Sequence, residues 1–492
     1  MATPEEPLSK YWSHPSRVRA RRVVDLTMPS PLDAAVSNRE IDDAPPEVAT
    51  AVLDLAMRFG ELLVASGTPA NDTVVLLLRL TRAFGLKTVY VDVSYMSITT
   101  SYYRGWDRPP VTTTRVVRTP EVDFTMVERA ERLMDAIEST PMSIHEATER
   151  FRRIMRGPRP HPRWMMVVGT ALTAAGAVLI WGGSWSQMLA TFALGVLVYS
   201  LQHAFARLAV PPFFTQVAGA AVVAVCATGL WWLSAQVPWL PTGRNPDVLM
   251  TGGVIILVVG SKAVGAAQDA IDEFYLTAAA RAVEVAMLTG GILVGLVLGI
   301  QLCRAVGVVP PLTNNFLAYG PLWAQLLGAF VVSAMYGLES NASWRTVALS
   351  GVAGLAGWAG FAALMSAGWP SMATNGIAGL IVALVGVPLA RQFRVPVVAV
   401  VSSALIPFVP GTMLVSSLKQ MFGYELNLAD LQPGLITFVG AVGVAIAIAV
   451  GATAGMIVGR PADEQLRRQL SRLRPRQALL VWPWRRRTRR PK

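Results

Sequence analysis

Apolar and polar positions divide this chain into three zones. Up to about residue 163 they alternate at helix and strand periods. From Trp164 to Gly459 they merge into long apolar runs, and from Arg460 onward basic residues dominate. The middle zone of 296 residues holds only 9 Lys/Arg and 8 Asp/Glu. A bilayer demands such sequence, because each helical span needs about 20 apolar residues. The runs predict ten spans at 164–181, 186–206, 212–233, 248–267, 280–302, 319–337, 345–367, 374–389, 395–418 and 435–458. The eighth is short for a span.

The pattern before Trp164 is different. EVATAVLDLAMRFGELLVASG reads as an amphipathic helix stopped at Gly67. TVVLLLRLTRAFG reads as a second helix, capped by Asn71 or Asp72 and stopped at Gly85. KTVYVDVSY, SITTSYY and VTTTRVVR alternate as strands, with RGWDRPP as the loop between the last two. DFTMVERAERLMDAIES and MSIHEATERFRRIM complete a small α+β unit. The expected organisation is a disordered leader (1–46), a cytoplasmic α+β domain (47–160), two five-helix membrane halves (161–303 and 304–459) and a basic cytoplasmic tail (460–492). The fold class is therefore a polytopic α-helical membrane protein with an N-terminal cytoplasmic α+β domain.

Charge fixes the expected orientation. Six arginines from Arg150 to Arg163 precede the first span, and 12 Lys/Arg follow the last. Both termini are then cytoplasmic, which requires an even number of spans. Arg207, Lys262, Arg281, Arg345, Arg391 and Arg394 fall on the same side; Arg244, Arg304 and Lys419 fall on the other. The formal net charge of +12 is concentrated in the tail, so it points to anionic lipid and not to nucleic acid. Cys226 and Cys303, the two cysteines, form no disulfide framework, and no cluster has metal-ligand spacing. No P-loop or nucleophile motif is present, so neither an enzyme nor a cofactor is expected. A hydrolase built on Ser184 and His203 is disfavoured by their opposite depths.

Two patterns recur at the same place in each half. The fifth span carries Gly291, Gly295 and Gly299, and the tenth carries Gly451, Gly455 and Gly459. This four-residue spacing clears one helix face for close approach of another helix. The fourth span is interrupted by glycine (Gly260, Gly265) and the ninth by Pro407, Pro410 and Gly411. Proline frees backbone groups that a membrane interior leaves unsolvated. Five spans per half would invert the second half, as in transporters that alternate access about a midplane site. Gly260, Pro407, Pro410, Gly411 and Thr412 are thus candidates for a broken-helix substrate site, with a plain proline kink as the alternative.

Ionisable groups are densest around the end of the fourth span: Lys262, Asp269, Asp272, Glu273, Arg281 and Glu284. Asp269, Asp272 and Glu273 share a face if the helix continues, and Arg281 and Glu284 pair likewise. The set reads either as interfacial anchoring or as gating and coupling. Glu284, deepest in an apolar run, is the leading coupling candidate. His145, His203 and Glu339 read as interfacial or solvated.

The segments SGTPANDTVVLLLRLTRAFGLKTVYVDVSYMSIT, TAAARAVEVAMLTGGILVGLVLG, IPFVPGTM and GATAGMIVG are similar to the bacterial threonine/serine exporter family. The resemblance runs over roughly residues 48–460 and excludes the leader and tail; the first half has no proline matching Pro410. It implies export of small hydroxylated amino acids across the plasma membrane, driven by the proton motive force. The implied partners are such an amino acid and protons, with a homo-oligomer left open. Another small metabolite or a dipeptide as cargo, and a non-transporting scaffold or receptor, are the alternatives.

Overall fold

A computed structural model describes residues 44–104, 108–117, 122–158, 160–237, 246–257, 260–309, 319–411 and 428–459, with four positions between 411 and 428. The leader, the basic tail, Thr412, Arg244 and Lys419 lie outside the described residues.

The N-terminal part is built from α1 (Pro46–Ala65), α2 (Ala70–Ala83), β1 (Val89–Ser94), β2 (Ser97–Tyr102), β3 (Val111–Val116), α3 (Phe124–Ser139) and α4 (Ile144–Arg156). The strands form one antiparallel sheet in the order β1-β2-β3, with Val93 opposite Ile98 and Thr100 opposite Thr113. Val89, Val91 and Val93 alternate into the core, where Leu53, Phe59, Leu77, Ile98 and Tyr102 are fully buried. Asp123 and Ser143 cap α3 and α4 through the amides of Met126 and Glu146.

The turn after α1 needs a left-handed backbone. Gly67 has φ +80°, and a Cβ there would meet nothing within 4 Å. Gly67→Ala is therefore a pure backbone test. It should cost about 1–2 kcal/mol, read as a lower thermal midpoint of the full chain. An unchanged midpoint would mean that the α1–α2 turn relaxes freely.

The rest is helical: α5 (Arg163–Ile180), α6 (Trp185–Arg207), α7 (Pro212–Gln236), α8 (Pro246–Ile255), α9 (Gly260–Ile271), α10 (Tyr275–Ala305), α11 (Leu322–Glu339), α12 (Trp344–Ser366), α13 (Ser371–Phe393), α14 (Val397–Ala404) and α15 (Leu428–Gly459). Eight are long and apolar enough to cross a membrane: α5, α6, α7, α10, α11, α12, α13 and the Gln432–Gly459 part of α15. The chain is a multi-pass membrane protein. The expected eighth span is not short, since α13 has 23 residues and carries Pro388 without ending there.

Both interruptions appear as breaks. The fourth run divides into α8 and α9, and in the ninth α14 gives way to a 3-10 turn at Ile406–Phe408. The buried Pro407 sits inside that turn, and the Gly411 amide donates to the Val409 carbonyl at 2.7 Å.

The glycines explain the packing. The Gly291, Gly295 and Gly299 face of α10 lies on α7; Cβ atoms at Gly291 and Gly299 would come within 2.9 Å of the Phe213 carbonyl and 2.7 Å of the Ala221 carbonyl. The Gly451, Gly455 and Gly459 face of α15 lies on α13 in the same way, with the Leu380 carbonyl 2.8 Å from a Cβ at Gly455. In each set the short helix packs against the three preceding long ones: α8 against α5, α6 and α7, and α14 against α11, α12 and α13. The sets join where α5 crosses α11, with a Cβ at Gly328 only 2.7 Å from the Gly176 carbonyl.

Ser184 caps α6, and His203 lies within that same helix. They therefore stand near opposite ends of one helix. The 19 intervening positions separate them by roughly 28 Å at 1.5 Å per residue, and no shared chemistry results.

Candidate functional site

The charged set converges where the α9–α10 turn meets the N-terminal part. The pairing differs from the sequence expectation. Helix α9 ends at Ile271, so Asp272 and Glu273 lie in the turn and do not share a helical face with Asp269. Glu273 takes φ +68°, which reverses the chain into α10. Arg281 and Glu284 do not pair with each other. Arg281 pairs with Asp269 at 2.8 Å, and Glu284 pairs with Lys262.

Asp269 is fully buried. Its Oδ1 accepts the Ala70 amide at 2.9 Å, at the first residue of α2. The sequence pattern points instead to Asn71 or Asp72 for this cap. The residue before the helix is Pro69, which has no side-chain acceptor, and the terminal amide of α2 is satisfied by a carboxylate 199 positions away. The partial positive charge of a helix N-terminus favours that anion. Arg281 closes the arrangement by donating from Nη2 to the Thr68 carbonyl at 3.0 Å. Gly265 gives the guanidinium room, since a Cβ there would stand 3.1 Å from Arg281 Nη1.

Near the start of α10, Thr277 splices the helix to the β1–β2 turn. Its hydroxyl donates to the Val93 carbonyl at 3.0 Å and accepts the Tyr95 amide at 3.1 Å. Tyr95 holds φ +56°, a left-handed conformation uncommon for an aromatic residue. In that conformation its hydroxyl reaches Glu284 Oε2 at 3.2 Å. Burial and the adjacent Glu284 carboxylate push the Tyr95 phenol up, so it remains a donor. Phe274, in the α9–α10 turn, packs on the core of the N-terminal part. Glu284 is thus not deep in an apolar environment; it belongs to a clasp of Asp269, Arg281, Thr277, Glu284, Lys262 and Tyr95. Sequence reasoning misses Tyr95 and Thr277, as well as the Thr68 and Ala70 backbone.

A second fastening joins the N-terminal part to the α11–α12 turn. Asn341 Nδ2 donates to Asp123 Oδ2 at 2.6 Å, and the Phe124 amide donates to the Ser340 carbonyl at 3.1 Å. His161 Nε2 lies 2.8 Å from the Ala342 carbonyl. Asn341 also has a left-handed φ, +57°. The two fastened turns lie on the same side of the bundle as the residues before α5.

Gly260 begins α9, and α9 also packs against α15. The interrupted helix therefore touches the clasp at one end and the last helix of the other set along its side. Pro407, Pro410 and Gly411 lie at the other interruption, away from the clasp. Phe408, next to Pro407, packs tilted or edge-on against Trp358 and Phe361, with ring centroids 5.4 and 6.1 Å away and each residue 4% exposed or less.

Comparison with known proteins respects this division. The family described as "Putative threonine/serine exporter" matches residues 54–303, and "Threonine/Serine exporter, ThrE" matches residues 325–458. A probable threonine/serine exporter of Mycobacterium tuberculosis is 27% identical over 418 residues, covering 83% of this chain and 77% of its own. The threonine/serine exporter of Corynebacterium glutamicum is 27% identical over 420 residues, 85% of this chain and 83% of its own. A probable succinate transporter subunit, YjjP of Escherichia coli, is 24% identical over 257 residues, 52% of this chain and 96% of its own. No solved structure matches.

Proposed function

Because the chain belongs to the threonine/serine exporter family, a family of transporters and not of enzymes, we propose that it exports threonine, serine or a related small amino acid by antiport with protons. The observation that carries the reading is that each helical set matches its own exporter family, residues 54–303 and 325–458. The membrane is the plasma membrane, both termini are cytoplasmic, and the basic tail rests on anionic lipid.

The two short-helix runs complete ten crossings in an inverted repeat of five. The common packing of third on fifth helix, and of the broken helix on the three preceding ones, supports that reading. The freed carbonyls near Gly260 and Pro410 then offer acceptors to the substrate amine. The clasp transmits the state of the broken helix to the N-terminal part. Glu284 is the group that takes up and releases the proton, with Lys262 and Tyr95 setting its environment.

The test is efflux from cells loaded with threonine, with and without an uncoupler, in wild type and Glu284→Gln. Wild type should export faster than an empty strain, and the uncoupler should remove the gain. Glu284→Gln should lose the uncoupler-sensitive component while keeping its expression, because the amide still accepts from Tyr95 but carries no proton load. Normal gradient-driven efflux in that variant would remove Glu284 from the mechanism. A second reading keeps the carrier and changes the cargo to a small carboxylate. The match to a succinate transporter subunit over half the chain favours including succinate in the same assay.

A further inference from the structure

A cavity of about 380 Å³ lies between the N-terminal part and the membrane helices, where Val397 and Val398 at the start of α14 form part of its wall. That is within the size range of small-ligand sites. Its walls carry opposite charge. The N-terminal wall presents Asp72, Glu128, Glu131 and Asp135 against Arg79 and Arg132, a net acidic face, whereas the α13–α14 wall presents Arg391 and Arg394 and no acidic residue.

The bonding inside each wall leaves a surplus of both signs. On the N-terminal wall, Arg79 is held by Glu138 at 2.6 Å and also reaches Asp135 at 3.7 Å, and Arg132 is bound to Glu128, which leaves Glu131 as a carboxylate without a paired arginine among the described residues. Glu128 is 4% exposed, and its second oxygen, Oε2, is buried with no hydrogen-bond partner. A buried carboxylate oxygen left unsatisfied is costly, so this wall holds its negative charge under strain. Opposite, Arg391 spends one nitrogen on the Gly459 carbonyl at 2.7 Å, which leaves its other donors for a ligand. Arg394 stands exposed at φ +54°, a left-handed position that ends α13.

From these walls we infer that the cavity binds a small zwitterion, its ammonium group at Glu128 and Glu131 and its carboxylate at Arg391 and Arg394. A dication would be repelled by the arginine wall, and a dianion by the carboxylates. That the zwitterion is the transported type of amino acid rests on the exporter reading; the charge pattern alone carries the class. The site is regulatory, because its occupant bridges the two structural parts. Thr68 lines the cavity and also gives its carbonyl to Arg281, so occupancy and the clasp share a residue.

Burial pushes the Glu131 carboxyl up to about 7, with Asp135 and Asp72 adding to the effect and Arg79 opposing it. Glu128 and Arg132 on the same helix, and Arg391 and Arg394 on the opposite wall, are the other charges that line the cavity around it. An arriving ammonium group favours the ionised form, so zwitterion affinity should rise as pH passes upward through about 7.

The experiment is equilibrium binding of radiolabelled threonine, serine and glycine to the purified full-length protein at pH 6 and pH 8. The variants are Glu131→Gln, Arg394→Gln and Arg394→Lys. Neither substituted side chain holds a structural bond, and Glu131→Gln relieves repulsion, so a single size-exclusion peak is expected for each. The inference expects Glu131→Gln and Arg394→Gln each to weaken binding about tenfold, the scale of one charge-assisted contact. It also expects Arg394→Lys to recover part of the loss and Glu131→Gln to flatten the pH response. Absence of binding to the wild type, or binding in both charge-neutral variants equal to wild type, would overturn it. Efflux measured in parallel separates the two ideas. Export without this binding removes the cavity site alone, and variant-sensitive binding without threonine or serine export removes the cargo assignment alone.

Discussion

Replacing Arg281 with methionine is expected to release the N-terminal part from the bundle. Asp269 is fully buried, and its cation is the Arg281 guanidinium at 2.8 Å. Removing one partner of a buried pair leaves an uncompensated charge and costs about 3–5 kcal/mol. The Thr68 carbonyl loses its 3.0 Å donor in the same step. The measurement is hydrogen exchange at the Ala70 and Tyr95 amides, which donate to Asp269 and Thr277. Exchange there should accelerate by about a hundredfold or more, since each 1.4 kcal/mol is a factor of ten. Methionine fills much of the vacated volume, so the loss reports charge and not a cavity.

The double variant sharpens this prediction. Asp269→Asn keeps an oxygen for the Ala70 amide and removes the stranded charge, so Asp269→Asn with Arg281→Met should recover most of the protection. The coupling energy from the four-variant cycle then belongs to the pair. Wild-type exchange at Ala70 and Tyr95 in Arg281→Met would mean that the second fastening, at Asn341 and Asp123, holds the N-terminal part by itself.

How legible each feature is in the sequence depends on how local it is. Hydropathy marks the membrane-crossing runs because it measures the slab that each helix traverses. It sets the start of α10 at residue 280, five positions late, because the helix emerges from the slab and continues to Tyr275 in the clasp. The strands and the stops at Gly67 and Gly85 are legible because alternation and glycine act within a few residues. The charged set is legible as a set, since it stands out against apolar sequence. Its pairing is not. Arg281 reaches Thr68 across 213 positions and Glu284 reaches Tyr95 across 189, and no local pattern encodes such contacts. The cap of α2 fails for the same reason: Asp72 has the right chemistry close by, but the fold supplies Asp269.

Strain gives a separate pointer to the same interface. Among the described residues, Tyr95, Ala209, Glu273, Asn341 and Arg394 are the non-glycine positions with positive φ. Tyr95, Glu273 and Asn341 sit in the turns that fasten the N-terminal part to the bundle, and Arg394 lines the cavity between them. Such conformations persist where surrounding contacts over-determine them. Here those contacts are the hydrogen bonds that cross between the two parts. The interface is therefore built to hold one geometry.

Alanine at Gly295 should destabilise the bundle, whereas alanine at Gly290 should not, although both stand on α10. The intrinsic change is the same at each site, a gain of about 1 kcal/mol when alanine replaces glycine inside a helix. The surroundings differ. A Cβ at Gly290 would meet nothing within 4 Å, so the gain stands and the melting temperature should rise slightly. A Cβ at Gly295 would press into the Val217 carbonyl and come within 2.8 Å of Ala220 Cβ on α7. Backbone cannot swing aside as a flexible side chain can, so α10 and α7 must separate along their length. Forced overpacking costs about 1–3 kcal/mol even where side chains give way, and here it also removes the close contact that holds membrane helices together. Gly451→Ala should behave like Gly295→Ala, because a Cβ there would press into the Gly376 carbonyl on α13. Thermal melts of the detergent-solubilised protein, followed by the surviving size-exclusion peak, should therefore move in opposite directions for Gly290→Ala and Gly295→Ala. A Gly295→Ala protein that melts at or above the wild-type temperature would mean that the glycine faces are spacers of ordinary width, and the shared packing of the two sets would lose its physical basis.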